Sequence, residues 1–477
     1  MKKTLLFILT FLLGAGIAAA KVVLPPVFSD NMVLQQRSNV KIWGRAGGRT
    51  VTCQASWLSE PVTATVREKA FELSLPTPQG SYMPRTVVIK DADSEVSMNN
   101  VLIGDVWICS GQSNMEMTMR GYSRQPVHNA LQSILESGRY GDRIHIFTVA
   151  RTECDRPKTA VRGSWKPASP ESVPTTSATA YHFAVAMADA LDVPVGIITA
   201  SRSSSNIETW MPKSLLAERF GYDVEKINSD PNIRGIYKCG FYYNGMLVPL
   251  FGYGAKGFLW YQGESNRKNA DKYHLLMQAM VEDWRNNWGD TGNEMPFVYV
   301  QIAHYAYDND LDGLAAPRVF EAQQKALELI PNSAMVVTSD IGERNCIHPS
   351  RKDVIGMRAA VEALRLAYGM HIPDTGGVRL RLESVAGNKA ILSYENAEYG
   401  LLPSEDPVLG FEVAGDDRVF HPAEANILGA KSRIMVSSPE VARPMAVRYA
   451  FRNFIESNLT NTLGYPAFPY RSDDWPL

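Results

Sequence analysis

Between residues 99 and 372 the chain repeats one rhythm, a short apolar run followed by a stretch of helical spacing, and this alternation constrains the fold more than any other feature. Strand-like runs lie at residues 106–109, 144–149, 195–199, 257–261, 297–302 and 334–338. Between them, residues 179–191 repeat Phe183, Met187 and Leu191 at helical spacing, and residues 271–284 form another helical stretch. Apolar strands alternating with helices predict an α/β fold, a mostly parallel sheet covered by helices. The flanks differ. Residues 21–98 carry short β-prone runs at 40–43, 50–53, 63–66 and 85–89 separated by turns, which predicts a β-sandwich-like module. Residues 373–477 return to strands, as at 378–382 and 432–436, and end in a segment with Tyr465, Phe468, Tyr470 and Trp475 but no regular period. Such an aromatic tail is expected to pack on a neighbour rather than stay disordered.

The first twenty residues read as a signal peptide: Lys2 and Lys3, an apolar stretch at 5–17, then Ala18, Ala19 and Ala20 before Lys21. Export to the periplasm or beyond is expected, with the mature chain starting near Lys21. No later run approaches the ~20 apolar residues of a membrane span, and no cysteine at the leader's exit suggests a lipid anchor. With 48 basic and 50 acidic residues the formal charge is −2, which offers no electrostatic footprint for nucleic acid. The five cysteines scatter without C-x-x-C spacing, and no His/Cys/Asp cluster has ligand spacing, so neither a metal nor another cofactor is expected.

Four groups with chemical potential follow strands of the central unit, where the crevice of an open α/β sheet forms. Ser113 stands in a Gly-x-Ser turn after the first strand, and the residues after it can open a helix whose first N–H groups stabilise an oxyanion. The turn is not the Gly-x-Ser-x-Gly elbow of α/β-hydrolases. Ser203 and Ser204 follow the strand at 195–199; Gln262, Glu264 and Asn266 follow the one at 257–261; Asp340, Glu343, Cys346 and His348 follow the one at 334–338. His348 precedes a Pro and a stretch in which Val354, Met357, Val361, Leu364 and Tyr368 keep helical spacing, so a buried helix is expected to anchor its loop. An imidazole there suits a general base for the Ser113 hydroxyl. Oxyanion donors are expected from the backbone of Ser113 and of Ser203 or Ser204 and from the Gln262 amide, with Asn266 in reserve. Glu264 lacks an evident partner carboxylate and reads as a structural residue holding neighbouring loops, although a glycosidase-type pair stays open.

Gly111-Gln112-Ser113-Asn114-Met115, Trp260-Tyr261-Gln262-Gly263-Glu264-Ser265-Asn266 and Ile347-His348-Pro349 with Lys352 resemble the sialate O-acetylesterase family of SGNH hydrolases, which includes bacterial carbohydrate acetylesterases. Residues 24–35, 446–451 and 466–473 resemble the family's first and last segments, so the likeness covers essentially the whole mature chain. It implies a flavodoxin-like SGNH domain at 99–372 with β-rich flanks, and metal-independent removal of O-acetyl groups from sugars by a Ser-His mechanism. Sialic acid is one acetyl donor that it suggests and an acetylated plant polysaccharide such as xylan is another. Two departures stand out. Relatives usually carry Gly-Gly where this chain has Ser203-Ser204, and an added Cβ crowds any positive-φ geometry. Many relatives have Asp two residues before the histidine, where this chain has Cys346, which leaves Asp340, Glu343 or a backbone carbonyl to orient His348. The same departures leave open a non-catalytic glycan-binding protein on this fold.

Overall fold

The computed structural model describes residues 21–308, 310, 312–428 and 433–477, so the expected leader at 1–20 lies outside the described residues. Its central element is β1 (Glu95–Gly111), a strand of 17 residues whose two halves differ. Residues 95–100 are largely exposed or half-buried and pair antiparallel with the strand Ser81–Lys90, whereas every residue from Val101 onward is buried. That change is what a strand shows on passing from a sheet open to water into one covered on both faces. The border expected between residues 98 and 99 therefore falls inside one continuous strand.

The strands that follow are β2 (Ile144–Thr148), β3 (Trp165–Pro167), β4 (Val195–Ser201), β5 (Gly257–Tyr261), β6 (Phe297–Val300) and β7 (Ser333–Val336). They lie in the order β7-β6-β5-β1-β4-β2-β3, all parallel to their neighbours except the edge strand β3. Register positions the site: Gly111 is level with Ser201 on one side and Tyr261 on the other, and Met335 is level with Tyr299, itself level with Trp260. The loops after β1, β4, β5 and β7 thus leave the sheet at nearly the same height.

Helices α1 (Ser113–Glu116), α2 (Ala178–Leu191), α3 (Tyr273–Trp288), α4 (Ala315–Leu329) and α5 (Lys352–Tyr368) complete the site-bearing unit. Side chains alternate along β1, as a strand requires. Trp107 and Cys109 join a core with Phe183 and Met187 of α2 and Ala359 and Ala363 of α5; Ile108 joins the opposite core with Met280 of α3 and Phe320 of α4. The helix expected after His348 is present and buried, with Leu364 of the marked residues in its core and Tyr368 packed against it, but Gly356 and the alanines carry most of the packing face. Met357 is 55% exposed, while Ile355, Gly356, Ala359, Ala360 and Ala363 are buried. Small residues win that face because α2 comes so close that a Cβ on Gly356 would meet the Phe183 backbone nitrogen at 2.6 Å.

Beyond α5 come two four-stranded antiparallel sheets, one from Arg379–Ala386, Lys389–Glu395, Glu424–Leu428 and Arg433–Ser437, the other from Phe411–Ala414, Phe420–Pro422, Ala446–Tyr449 and Tyr470–Arg471. The aromatic tail packs: Arg471 pairs with Glu321 of α4, and Asp473, its side chain 1% exposed, takes two hydrogen bonds from Arg448. No helix among the described residues is long and apolar enough to cross a membrane.

Candidate active site

Gly111 makes the turn into α1. Its φ is +142°, and a Cβ there would meet the Tyr261 carbonyl oxygen at 2.1 Å, so the position excludes any side chain. Gln112 then donates its N–H to that carbonyl, and its side-chain oxygen accepts from the Gly263 and Ser265 N–H groups, fixing the turn to the loop after β5. Ser113 follows, 6% exposed. Neither its hydroxyl nor its N–H has a hydrogen-bond partner among the described residues, which leaves both available to a ligand.

His348 reaches the same place from β7. Asn114, next to Ser113, donates to the Ile347 carbonyl (3.1 Å), and Tyr122 bridges the two residues: its hydroxyl donates to the Ser113 carbonyl (3.1 Å) while its ring stands edge-on to the imidazole with centroids 5.0 Å apart. Burial and the nearby Lys352 ammonium hold the imidazole down at about 4, so it is neutral at neutral pH. Nδ1 faces the side-chain oxygen of Gln125 at 2.5 Å. Nothing in the sequence marked Gln125, which lies 223 residues from His348 in a turn without a motif.

The four residues weighed beside Ser113 as oxyanion donors or reserves divide. Ser204 has φ +63°, the positive-φ geometry that the Gly-Gly departure put in question, and its N–H has no partner among the described residues. The Ser203 N–H is taken by the Glu116 carboxylate (2.9 Å), which also holds Arg151. Gln262 is fully buried, and its amide donates to the Ser205 carbonyl (3.1 Å) and to the side-chain oxygen of Asn266 (2.8 Å). Asn266 in turn accepts from the Ile207 N–H and donates to Glu208. Both amides brace the loops after β4 and β5 against each other.

The acids divide as well. Asp340 forms a two-point ion pair with Arg358 (2.9 and 2.7 Å), and Glu343 accepts the Ser350 N–H (2.7 Å). Cys346 donates its thiol to the His348 carbonyl (3.1 Å), not to the ring. Glu264 is buried and accepts from the Asn114 side chain (2.6 Å), and its other oxygen has no partner among the described residues; burial raises its affinity for a proton. The other end of Asn114 accepts from Lys352, whose ammonium burial pushes down to about 7. Lys352, Asn114 and Glu264 form a buried chain directly behind Ser113. Among the described residues no three His, Cys, Asp or Glu side chains stand together in a way that suits a metal ion.

The arrangement offers a free hydroxyl, a neutral imidazole and unpaired backbone N–H groups at the carboxyl end of a parallel sheet, which is equipment for acyl transfer. Known proteins agree. The family model described as carbohydrate esterase, sialic acid-specific acetylesterase, matches residues 103–360. Sialate O-acetylesterase of Mus musculus is 27% identical over 485 residues, covering 89% of this chain and 88% of the mouse protein; the Homo sapiens enzyme is 27% identical over 462 residues, covering 89% and 86%. The crystal structure of a carbohydrate acetylesterase from Xanthomonas citri superposes with TM-score 0.85 at 29% identity, covering 95% of this chain and all of that one. The chain is a carboxylic ester hydrolase and belongs to the sialic acid-specific acetylesterase family of carbohydrate esterases.

Proposed function

We propose that this protein releases acetate from O-acetylated sialic acids, with Ser113 as nucleophile and His348 as general acid and base. The observation that carries the reading is the Tyr122 bridge, whose hydroxyl donates to the Ser113 carbonyl and whose ring packs on the His348 imidazole, joining residues 235 positions apart in the chain. The Ser113 oxygen attacks the acetyl carbonyl while His348 Nε2 takes the hydroxyl proton. The tetrahedral oxyanion takes hydrogen bonds from the Ser113 and Ser204 N–H groups, the two expected donors without a competing acceptor. Collapse expels the sugar oxygen, which receives the proton from His348 and leaves the acetyl group on Ser113. Water, deprotonated by the same imidazole, then releases acetate. Export fits a substrate met outside the cytoplasm, and residues 1–20 have the charge, apolar core and small-residue exit of a leader.

Acetate release by the purified protein from O-acetylated sialosides and from acetylated xylo-oligosaccharides tests the reading. Preference for the sialosides is expected. Preference for the xylo-oligosaccharides overturns the substrate, and binding without release from either overturns catalysis in favour of a glycan-binding protein.

A further inference from the structure

We infer that Gln125 is the positioning residue of His348, its neutral amide oxygen standing where triad enzymes place a carboxylate; the inference rests on the Ser113–His348 reading above. Each acid that sequence offered for this role is engaged elsewhere: Asp340 by Arg358 and Glu343 by the Ser350 N–H. The Cys346 thiol is turned to the His348 carbonyl. Gln125 alone among the described side chains meets Nδ1.

The segment that carries Gln125 is built to hold it still. Tyr122 and Gln125 exchange backbone hydrogen bonds of 3.0 Å in each direction, closing a two-residue turn in which Arg124 takes φ +59°. Gly121, at φ +74°, leads into it, and a Cβ there would meet the Gln125 carbonyl oxygen at 2.3 Å. The turn is tied to both sides of the site, by the Met119 N–H to Thr176 and by the His128 N–H to Ser350 of the His348 loop (both 2.9 Å). One rigid turn therefore carries both the ring that packs on the imidazole and the acceptor that receives its proton.

An amide oxygen accepts and does not donate, so it fixes the proton on Nδ1 and leaves the Nε2 lone pair for the Ser113 proton. It does this without adding a negative charge. The other groups at the ring are Lys352 on α5, whose ammonium opposes protonation of the imidazole, and Tyr122 on the turn; Cys346 and Glu343, on the ring's own loop, act on Lys352 rather than on the ring. A carboxylate in place of the amide would stabilise the imidazolium and raise the pH at which the base is lost. The neutral partner keeps His348 deprotonated, and the site competent, further into the acid range.

The test compares wild type with Gln125→Glu, Gln125→Leu and Gln125→Asn, using kcat and KM for an acetyl ester across pH and 15N NMR of the imidazole, assigned with His348→Asn. In wild type at neutral pH the spectrum should show the Nδ1–H tautomer. Gln125→Glu should move the acid limb of kcat/KM up by about 1–3 pH units. Gln125→Leu should lower kcat about 10²-fold with KM nearly unchanged, and Gln125→Asn should recover part of that loss. An Nε2–H tautomer in wild type, an unmoved acid limb in Gln125→Glu, or an undiminished kcat in folded Gln125→Leu overturns the inference. The tautomer is read without turnover, so these results stand apart from any failure of Ser113 as nucleophile.

Discussion

Replacing Lys352 by Met keeps the length of the side chain and removes the buried cation at one end of the Lys352–Asn114–Glu264 chain. Lys352 is fully buried and its ammonium lies 2.5 Å from the Asn114 side-chain oxygen, with the Tyr261 ring centroid 5.4 Å away. Asn114 passes the interaction on to Glu264 at 2.6 Å and is itself fully buried. In Lys352→Met that Asn114 oxygen has no partner, and Glu264, whose second oxygen already lacks one among the described residues, loses its buried cation. Breaking a buried charged network from one side costs about 3–5 kcal/mol. For a chain of 477 residues unfolding as one, which gains about 1 kcal/mol per kelvin of unfolding entropy, that is a fall in Tm of about 3–5 °C. Lys352→Met/Glu264→Gln should regain much of the loss, because the stranded carboxylate is gone, giving a coupling of at least about 1 kcal/mol in the double-mutant cycle. Calorimetry of the three variants beside wild type measures it. A Lys352→Met protein within about 1 °C of wild type, or strictly additive losses, refutes the idea of a mutually dependent chain.

Two further outcomes follow from the site. Cys346→Asp should leave kcat within about 3-fold, because the side chain at 346 faces the His348 carbonyl and Gln125 already holds Nδ1, and Asp340→Ala and Glu343→Ala should do the same; a crippled but folded acid variant would show that one of those carboxylates orients the ring. Acid should destabilise the fold: His182, His304 and His348 are each held at about 4 by burial, against about 6.5 in an unfolded chain, so their contribution is complete above pH 6.5 and is lost as the pH falls toward 4, by up to about 3 kcal/mol for each group. Tm measured from pH 7.5 to 4.5 should fall steadily, and a flat profile contradicts it.

Much of the site was legible because parallel strands place their following loops together. Once residues 106–109, 195–199, 257–261 and 334–338 read as strands, Ser113, Ser204, Gln262 and His348 had to lie near one another, and the level register of Gly111, Ser201 and Tyr261 is the physical basis of that inference. What sequence could not supply was the use of each polar group. Gln262 looks like a donor in its motif, yet its hydrogens are spent on Ser205 and Asn266, an allocation set by loops far apart in the chain. Gln125 sits in a turn with no periodicity, and its partner is fixed only by tertiary structure. The packing face of α5 was only partly legible, for a related reason. Apolar spacing favours large residues, but the short distance to α2 selects Gly356 and the alanines and leaves Met357 outside.

The account rests on Ser113 carrying the acetyl group. The most direct measurement is kcat for acetate release by Ser113→Ala, with folding checked by its Tm. The hydroxyl has no partner among the described residues, so its removal should leave Tm unchanged while kcat falls by at least about 10⁴-fold. A folded Ser113→Ala protein that still turns over at a rate near wild type would contradict the account.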